Sequence, residues 1–251
     1  MRHDFTDKYA YINSPVQRLD PRAKIIASVS GIVIVVTEPL NAGLNHMLLY
    51  LALILTVAVI SRLPLLFLAK RVLMVSPFII AASLFYPLSV MLSSGEYAIT
   101  EREMALRASM VIFSRALLAI IILILLTSTE KFHRILLALR KLMMPKVICS
   151  ISALLYRYTF LLADETLRTT RARESRTPGM LKMNRIKVFG NQAAMIFLRS
   201  WERSQTIYKS MLSRGFAGEY PDMQKLSLKT EDVIFASSFV ILMLAIRILV
   251  H

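Results

Sequence analysis

Apolar residues in this chain run in blocks much longer than a half-buried strand or a surface helix needs, and the polar residues gather between the blocks. From Ile25 to Ser61 there is one charge, Glu38, set beside Pro39 and followed by Asn41, Ala42 and Gly43. At 1.5 Å per residue this stretch is too long for one membrane crossing and suits two short ones, so it predicts helices over 23–37 and 45–61 with Glu38-Pro39-Leu40-Asn41 as the outer turn. After a polar step (Arg62, Lys70, Arg71), Val72 to Leu92 is free of charge and predicts a third crossing, in which Pro77 and Pro87 are tolerated because neighbouring helices satisfy the freed carbonyls. Met104 to Thr129 predicts a fourth, interrupted by Arg107 and Arg115, and Val233 to Val250 a last one, with Arg247 near its end. Val147 to Ala163 is also apolar but contains Arg157 and is flanked by basic sequence on both sides.

Composition agrees with the pattern. Hydrophobic residues make up 56% of the 251 and charged ones only 19%, below the roughly 25% of soluble domains, and the mean hydropathy is +0.57. The fold class expected is an all-α integral membrane protein of about five transmembrane helices with cytoplasmic helices attached. The net charge of +15 would suggest nucleic acid in a soluble protein. In a membrane protein the positive-inside bias accounts for it, so nucleic acid is not an expected partner. The single Cys149 cannot form an intrachain disulfide, and the polar start, Met1 to Lys24, does not read as a cleaved signal peptide.

Orientation follows from the loops. The N-terminal segment, the 62–71 step, the 130–146 segment and the 164–232 segment are rich in Lys and Arg, while the Glu38 turn and the 93–103 loop, with Glu96, Glu101 and Glu103, are not. The N-terminus is therefore placed in the cytoplasm and four crossings return the chain there at residue 130. A crossing at 147–163 would put the most basic segment outside, so that stretch is assigned to the interface or the cytoplasmic part. The resulting divisions are 1–22, a cytoplasmic N-terminal segment; 23–129, a four-span bundle; 130–232, a cytoplasmic and interfacial helical domain; and 233–251, the final span.

Between Asp164 and Arg214 eleven Lys and Arg face four acids, a net of +7. One helix continues from the apolar 147–163 run to Arg176, with Asp164 and Arg168 spaced as a favourable pair and Thr177-Pro178-Gly179 as the stop. A second runs from about Gln192 to Arg214 with Phe197, Trp201, Tyr208, Met211 and Leu212 as an approximate apolar stripe and Gly215 as a left-handed cap. Both end in arginine. Cations at a helix C-terminus need no further purpose, but two such ends on helices with apolar sides also suit docking to acidic grooves of soluble partners, because guanidinium pairs bidentately with carboxylate.

At this point the chain resembles the transmembrane T component of energy-coupling factor (ECF) transporters, in the cobalt/nickel-type CbiQ branch. The resemblance is carried by Asp7-Lys8-Tyr9-Ala10-Tyr11 with Ser14-Pro15-Val16-Gln17-Arg18-Leu19-Asp20-Pro21-Arg22-Ala23-Lys24, and by two Ala-Arg-Gly-like tripeptides, Ala172-Arg173-Glu174 and Ser213-Arg214-Gly215, each departing from the full motif at one position. Asp20 also reads as a helix cap with Pro21 in first position. The resemblance implies a non-catalytic scaffold in the plasma membrane. It implies as partners an ABC-type ATPase dimer, which would bind ATP and magnesium, and a substrate-binding membrane subunit, with Arg173 and Arg214 transmitting ATPase motion. A vitamin-type importer would use a similar scaffold.

The residues themselves offer little chemistry. No phosphate-binding Gly-x-x-x-x-Gly-Lys-Ser/Thr loop occurs, and His3, His46, His133 and His251 are scattered, with His3, Asp4 and Asp7 the nearest approach to a metal group. No cofactor and no catalytic residue is therefore expected in this chain, although a membrane-embedded lipid enzyme or a basic lipid anchor remain as competing classes. Arg115, about 12 Å beyond Arg107 along its helix, either snorkels outward or makes a polar contact with another helix. Trp201 and Met211, on the second helix, are the other expected subunit contacts.

Overall fold

In the computed structural model the described residues are 14–39, 44–92, 99–176, 182–216, 218 and 227–249. His3, Asp4, His251, the Asp7–Tyr11 half of the N-terminal signature, Leu40 and Asn41 of the outer turn, the core of the 93–103 loop and the Thr177–Gly179 stop lie outside them. Among the described residues the regular structure is entirely helical: α1 (Pro15–Arg18), α2 (Pro21–Val36), α3 (Leu44–Ile60), α4 (Leu65–Leu92), α5 (Ile99–Thr129), α6 (Phe132–Lys141), α7 (Lys146–Arg176), α8 (Lys182–Ser213) and α9 (Thr230–Leu249). The chain forms two compact units: residues 2–138 with 226–251, and residues 139–225.

The first unit is a bundle built on α5, which packs against α2, α3 and α4, while α9 closes on α2 and α3. Its core joins Ile34 and Val35 of α2, Tyr50, Ile54 and Ala58 of α3, Leu118, Ile122 and Leu125 of α5 and Met243 of α9. The opposite faces are equally apolar: Leu66, Leu73, Met74, Phe78 and Phe85 of α4 are more than 70% exposed. Such a surface is stable against lipid, not water, and the helical backbone satisfies its own polar groups as hydrocarbon requires. The chain is an all-α integral membrane protein.

Among the described residues, three helices are long and apolar enough to cross a bilayer: Leu65–Phe85 in α4, Met104–Thr129 in α5 and Lys146–Ser175 in α7, with His46–Ile60 a shorter apolar helix. The 16 residues of α2 and 17 of α3 reach about 25 Å, short of the ~30 Å of a typical hydrocarbon core. Helix α7 is long enough because the helix, though not its apolar run, continues without a break past Ala163 through the charged Asp164–Arg176 stretch, whereas the loop charges alone assign residues 147–163 to the interface.

Several local expectations are met. Asp20 caps α2 by accepting the Arg22 N–H at 2.9 Å, with Pro21 in the first turn. Pro77 and Pro87 lie inside an unbroken α4. Two helices start earlier than the charge pattern suggested. Glu101 and Glu103 belong to α5, and α8 begins at Lys182, running through Gly190, where a Cβ would meet open space. A helical glycine costs only about 1 kcal/mol, which the surrounding helix formers outweigh.

Gly31 is different, because a Cβ there would stand 3.0 Å from Cε1 of Phe239 and 3.6 Å from Cδ1 of Ile122. This is the small-residue contact that lets membrane helices approach closely. Gly31→Leu is expected to separate α2 from α9 at a cost of about 1–3 kcal/mol, lowering the thermal midpoint of the detergent-solubilised protein by several degrees. Gly31→Ala, which Phe239 can accommodate by a small shift, should lower it much less.

Candidate functional site

Helices α7 and α8 make up most of the second unit and pair as an antiparallel hairpin whose register is written in its polar contacts. Glu165 meets Arg199 at 2.9 Å, Gln192 Nε2 donates to Thr170 Oγ1 at 2.8 Å and Thr169 Oγ1 at 3.2 Å, and the Arg173 guanidinium lies over the Phe189 ring, 4.5 Å from its centroid. As the α7 number rises by eight, the α8 number falls by ten. The facing positions on α8 (Gln192, Ile196, Arg199, Ser200, Arg203, Ile207, Met211) follow the three-and-four spacing of one helix face. Toward the far end the helices part around a groove of about 550 Å³, lined by Ile151, Leu155 and Tyr158 of α7 and Ile207, Tyr208 and Met211 of α8.

The two arginines singled out in the sequence stand at opposite ends of this hairpin. Arg173 is three residues from the end of α7. Its side chain is 22% exposed, held by Phe189 and by a 3.8 Å approach to Glu174, which is itself 66% exposed. Ala172 is exposed beside it, its carbonyl accepting the Ser175 hydroxyl. Arg214 follows the last residue of α8. By the register it stands opposite the first turn of α7, roughly 25 residues or about 38 Å from Arg173 along the hairpin axis.

The end carrying Arg214 is built for rigidity. Gly215 takes φ +79°, and the N–H of Phe216 reaches the Met211 carbonyl at 3.0 Å while that of Gly215 reaches Leu212 at 3.0 Å. These are the two bonds of a Schellman cap, so the exposed Arg214 projects from a fixed turn. Ser213 bonds back to the Lys209 carbonyl at 3.0 Å and keeps its hydroxyl on the helix. Of the expected contact residues, Met211 lines the groove between the helices. Trp201 is 59% exposed and belongs with Phe197 and Leu212 to an exposed apolar stripe whose edge, at Tyr208, borders the groove facing α7.

Arg115 resolves as a helix contact. It donates through Nη2 to the backbone carbonyl of Glu38, while Arg247 of α9 donates to the Thr37 carbonyl at 3.2 Å and to its hydroxyl at 3.0 Å. Two arginines from other helices thus satisfy carbonyls left open at the C-terminus of α2, a requirement where water is scarce. The Glu38 carboxylate, 4% exposed, accepts from Tyr50 Oη at 2.5 Å.

A second buried cluster has no counterpart in the sequence reading. The Lys24 ammonium on α2 pairs with Glu130, which follows α5 and is 1% exposed, and Arg134 on α6 reaches the other carboxylate oxygen at 3.3 Å. Arg134 also donates to the Gln17 carbonyl at 3.4 Å. Asp232, 3% exposed at the start of α9, accepts the Asp20 N–H at 2.8 Å and the Lys229 N–H at 2.7 Å. Glu130 escaped notice because it reads as the first residue of a basic loop; its spacing of four before Arg134 was the available signal. Among the described residues no group of three or more His, Cys, Asp or Glu stands together.

Fold and site together define a helical membrane protein that carries two arginine-tipped helix ends on a separate hairpin. The model of the cobalt transport protein family, CbiQ, matches residues 13–226, and the chain belongs to that family: it is a cobalt transport protein, a membrane component of ECF-type transport. Among similar proteins, an uncharacterised protein of Methanocaldococcus jannaschii is 27% identical over 92% of this chain and 81% of its own length. A protein of Methanocorpusculum labreanum named as a fused cobalt transport protein, CbiMQ, is 28% identical over 82% of this chain but only 36% of its own.

Proposed function

We propose that this chain is the transmembrane coupling subunit of an energy-coupling factor importer for cobalt or nickel ions. Arg173 and Arg214 each enter an acidic groove on one subunit of an ABC-type ATPase dimer, and movement of the two ATPase subunits drives the hairpin. The observation that carries this reading is the placement of two arginine-bearing helix ends at opposite ends of one antiparallel hairpin. A separation of about 38 Å suits two sockets on two proteins, not one shared pocket. ATP and magnesium are then held by the partner, and the N-terminus lies in the cytoplasm.

The exposed stripe of Phe197, Trp201, Tyr208 and Leu212 supplies the apolar area that a second membrane subunit, the one that binds the ion, would cover. The fused relative supports such a partner, since nearly two thirds of it lies outside the matched part and its name joins two transport proteins. Cobalt leads over a vitamin as cargo because the family match names it.

Affinity purification of the tagged chain from its native membrane is expected to recover an ATPase and a second membrane protein in fixed proportion, with ATP-dependent 57Co uptake after reconstitution. A chain recovered without any ATPase would remove the proposal. A lipid enzyme would instead turn over lipid alone.

A further inference from the structure

The chain leaves the membrane bundle for the hairpin unit within α6, between Ala138 and Leu139, and returns between Lys225 and Leu226. A buried carboxylate lies on the bundle side of each crossing, Glu130 eight residues before the first and Asp232 six residues after the second. Glu130 stands two residues before α6 and holds Arg134 in its first turn. Asp232 stands in the first turn of α9, six residues after the return, and fastens Lys229 to it. The two carboxylates have no element in common, yet both are tied to the same short stretch at the start of the chain. Glu130 binds Lys24, Arg134 binds the Gln17 carbonyl, and Asp232 binds the Asp20 N–H.

We propose that the segment Ser14–Lys24 is a clasp that fastens the outgoing and the returning connection of the hairpin unit to the membrane bundle, so that displacement of the hairpin is passed to the spans instead of being absorbed in flexible joints. Arg134 and Asp232 are its positioning residues. The inference rests on the coupling-subunit reading above and adds the route by which motion enters the bundle. The segment is suited to the task. Ser14 and Asp20 cap successive helices, Pro15 and Pro21 occupy first-turn positions, and Ser14, Val16, Asp20, Pro21 and Lys24 are buried. Proline fixes φ and the caps fix the helix entries, which leaves few soft torsions between the two connections. A merely stabilising role would not require the carboxylates to fall at both crossings.

The test uses the complete transport complex in proteoliposomes, scoring 57Co uptake and ATP hydrolysis side by side for native chain, Arg134→Ala and Asp232→Asn. Arg134→Ala leaves the Lys24–Glu130 pair in place, and Asp232→Asn keeps the size of the side chain while removing one of two acceptors. Both variants are expected to assemble with the ATPase and hydrolyse ATP at native rates while uptake per ATP falls at least fivefold, and Arg134→Lys is expected to regain part of it. Unchanged uptake per ATP in both variants overturns the clasp, as does a loss of uptake that only tracks the amount of assembled complex. Native chain that brings no ATPase into the preparation defeats the coupling-subunit reading itself, a result distinguishable from either.

Discussion

Reversing the charge at both ends of the hairpin, Arg173→Glu together with Arg214→Glu, is expected to abolish ATP-driven uptake while the protein still inserts in the membrane at native levels. Truncating one partner of a buried, hydrogen-bonded charge pair at an interface costs about 2–5 kcal/mol, and under the proposed docking reversal would add repulsion from the ATPase carboxylates. Two such losses remove ATPase binding altogether. The hairpin itself survives, because Glu165–Arg199 and the Gln192 bonds to Thr169 and Thr170 do not involve either residue. Lysine replacements separate charge from shape. Arg173→Lys loses the planar contact with Phe189 as well as the fork that matches a carboxylate, so it should weaken ATPase recovery more than Arg214→Lys, whose side chain is exposed. Native uptake in the double Glu variant would show that neither helix end carries force.

What could be read from the sequence was local. The cap at Asp20, the left-handed Gly215 and the two separate helices expected over 23–37 and 45–61 each depend on residues close together in the chain, and the structure has the cap, the glycine and helices Pro21–Val36 and Leu44–Ile60 there. Contacts between distant segments were not legible. Arg115 gave two equal readings because its partner, the Glu38 carbonyl, is 77 residues away and a backbone oxygen has no sequence signature. Glu165 anchors the hairpin through Arg199, a partner 34 residues away that no local pattern points to. The stripe of Phe197, Trp201 and Tyr208 follows from period alone, yet period does not say what covers a face: α7 takes the neighbouring face, with Gln192, Ile196 and Ile207, reaches the edge of the stripe at Tyr208 and leaves Phe197 and Trp201 exposed.

Glu130→Ala is expected to have the largest effect on stability, and the reason lies in what it leaves behind. The Lys24 side chain is 4% exposed and that of Glu130 1%, so neither charge can turn to water when the other is removed. Leaving a buried charge uncompensated costs about 3–5 kcal/mol, a large share of the roughly 5–15 kcal/mol that holds a domain together. The variant should be recovered in low yield, with a thermal midpoint lower by about 10 °C. Removing both charges should behave differently. Lys24→Met with Glu130→Leu takes away the desolvation cost together with the attraction, and apolar residues of similar volume in place of a buried pair are often neutral or stabilising. Arg134, 30% exposed, can then reach solvent. The double variant is therefore expected to recover most of the lost stability, measured by yield and midpoint in the same detergent. A Glu130→Ala protein as stable as the native one would mean that Lys24 finds another partner or water, and that the pair does not hold α2 to the end of α5.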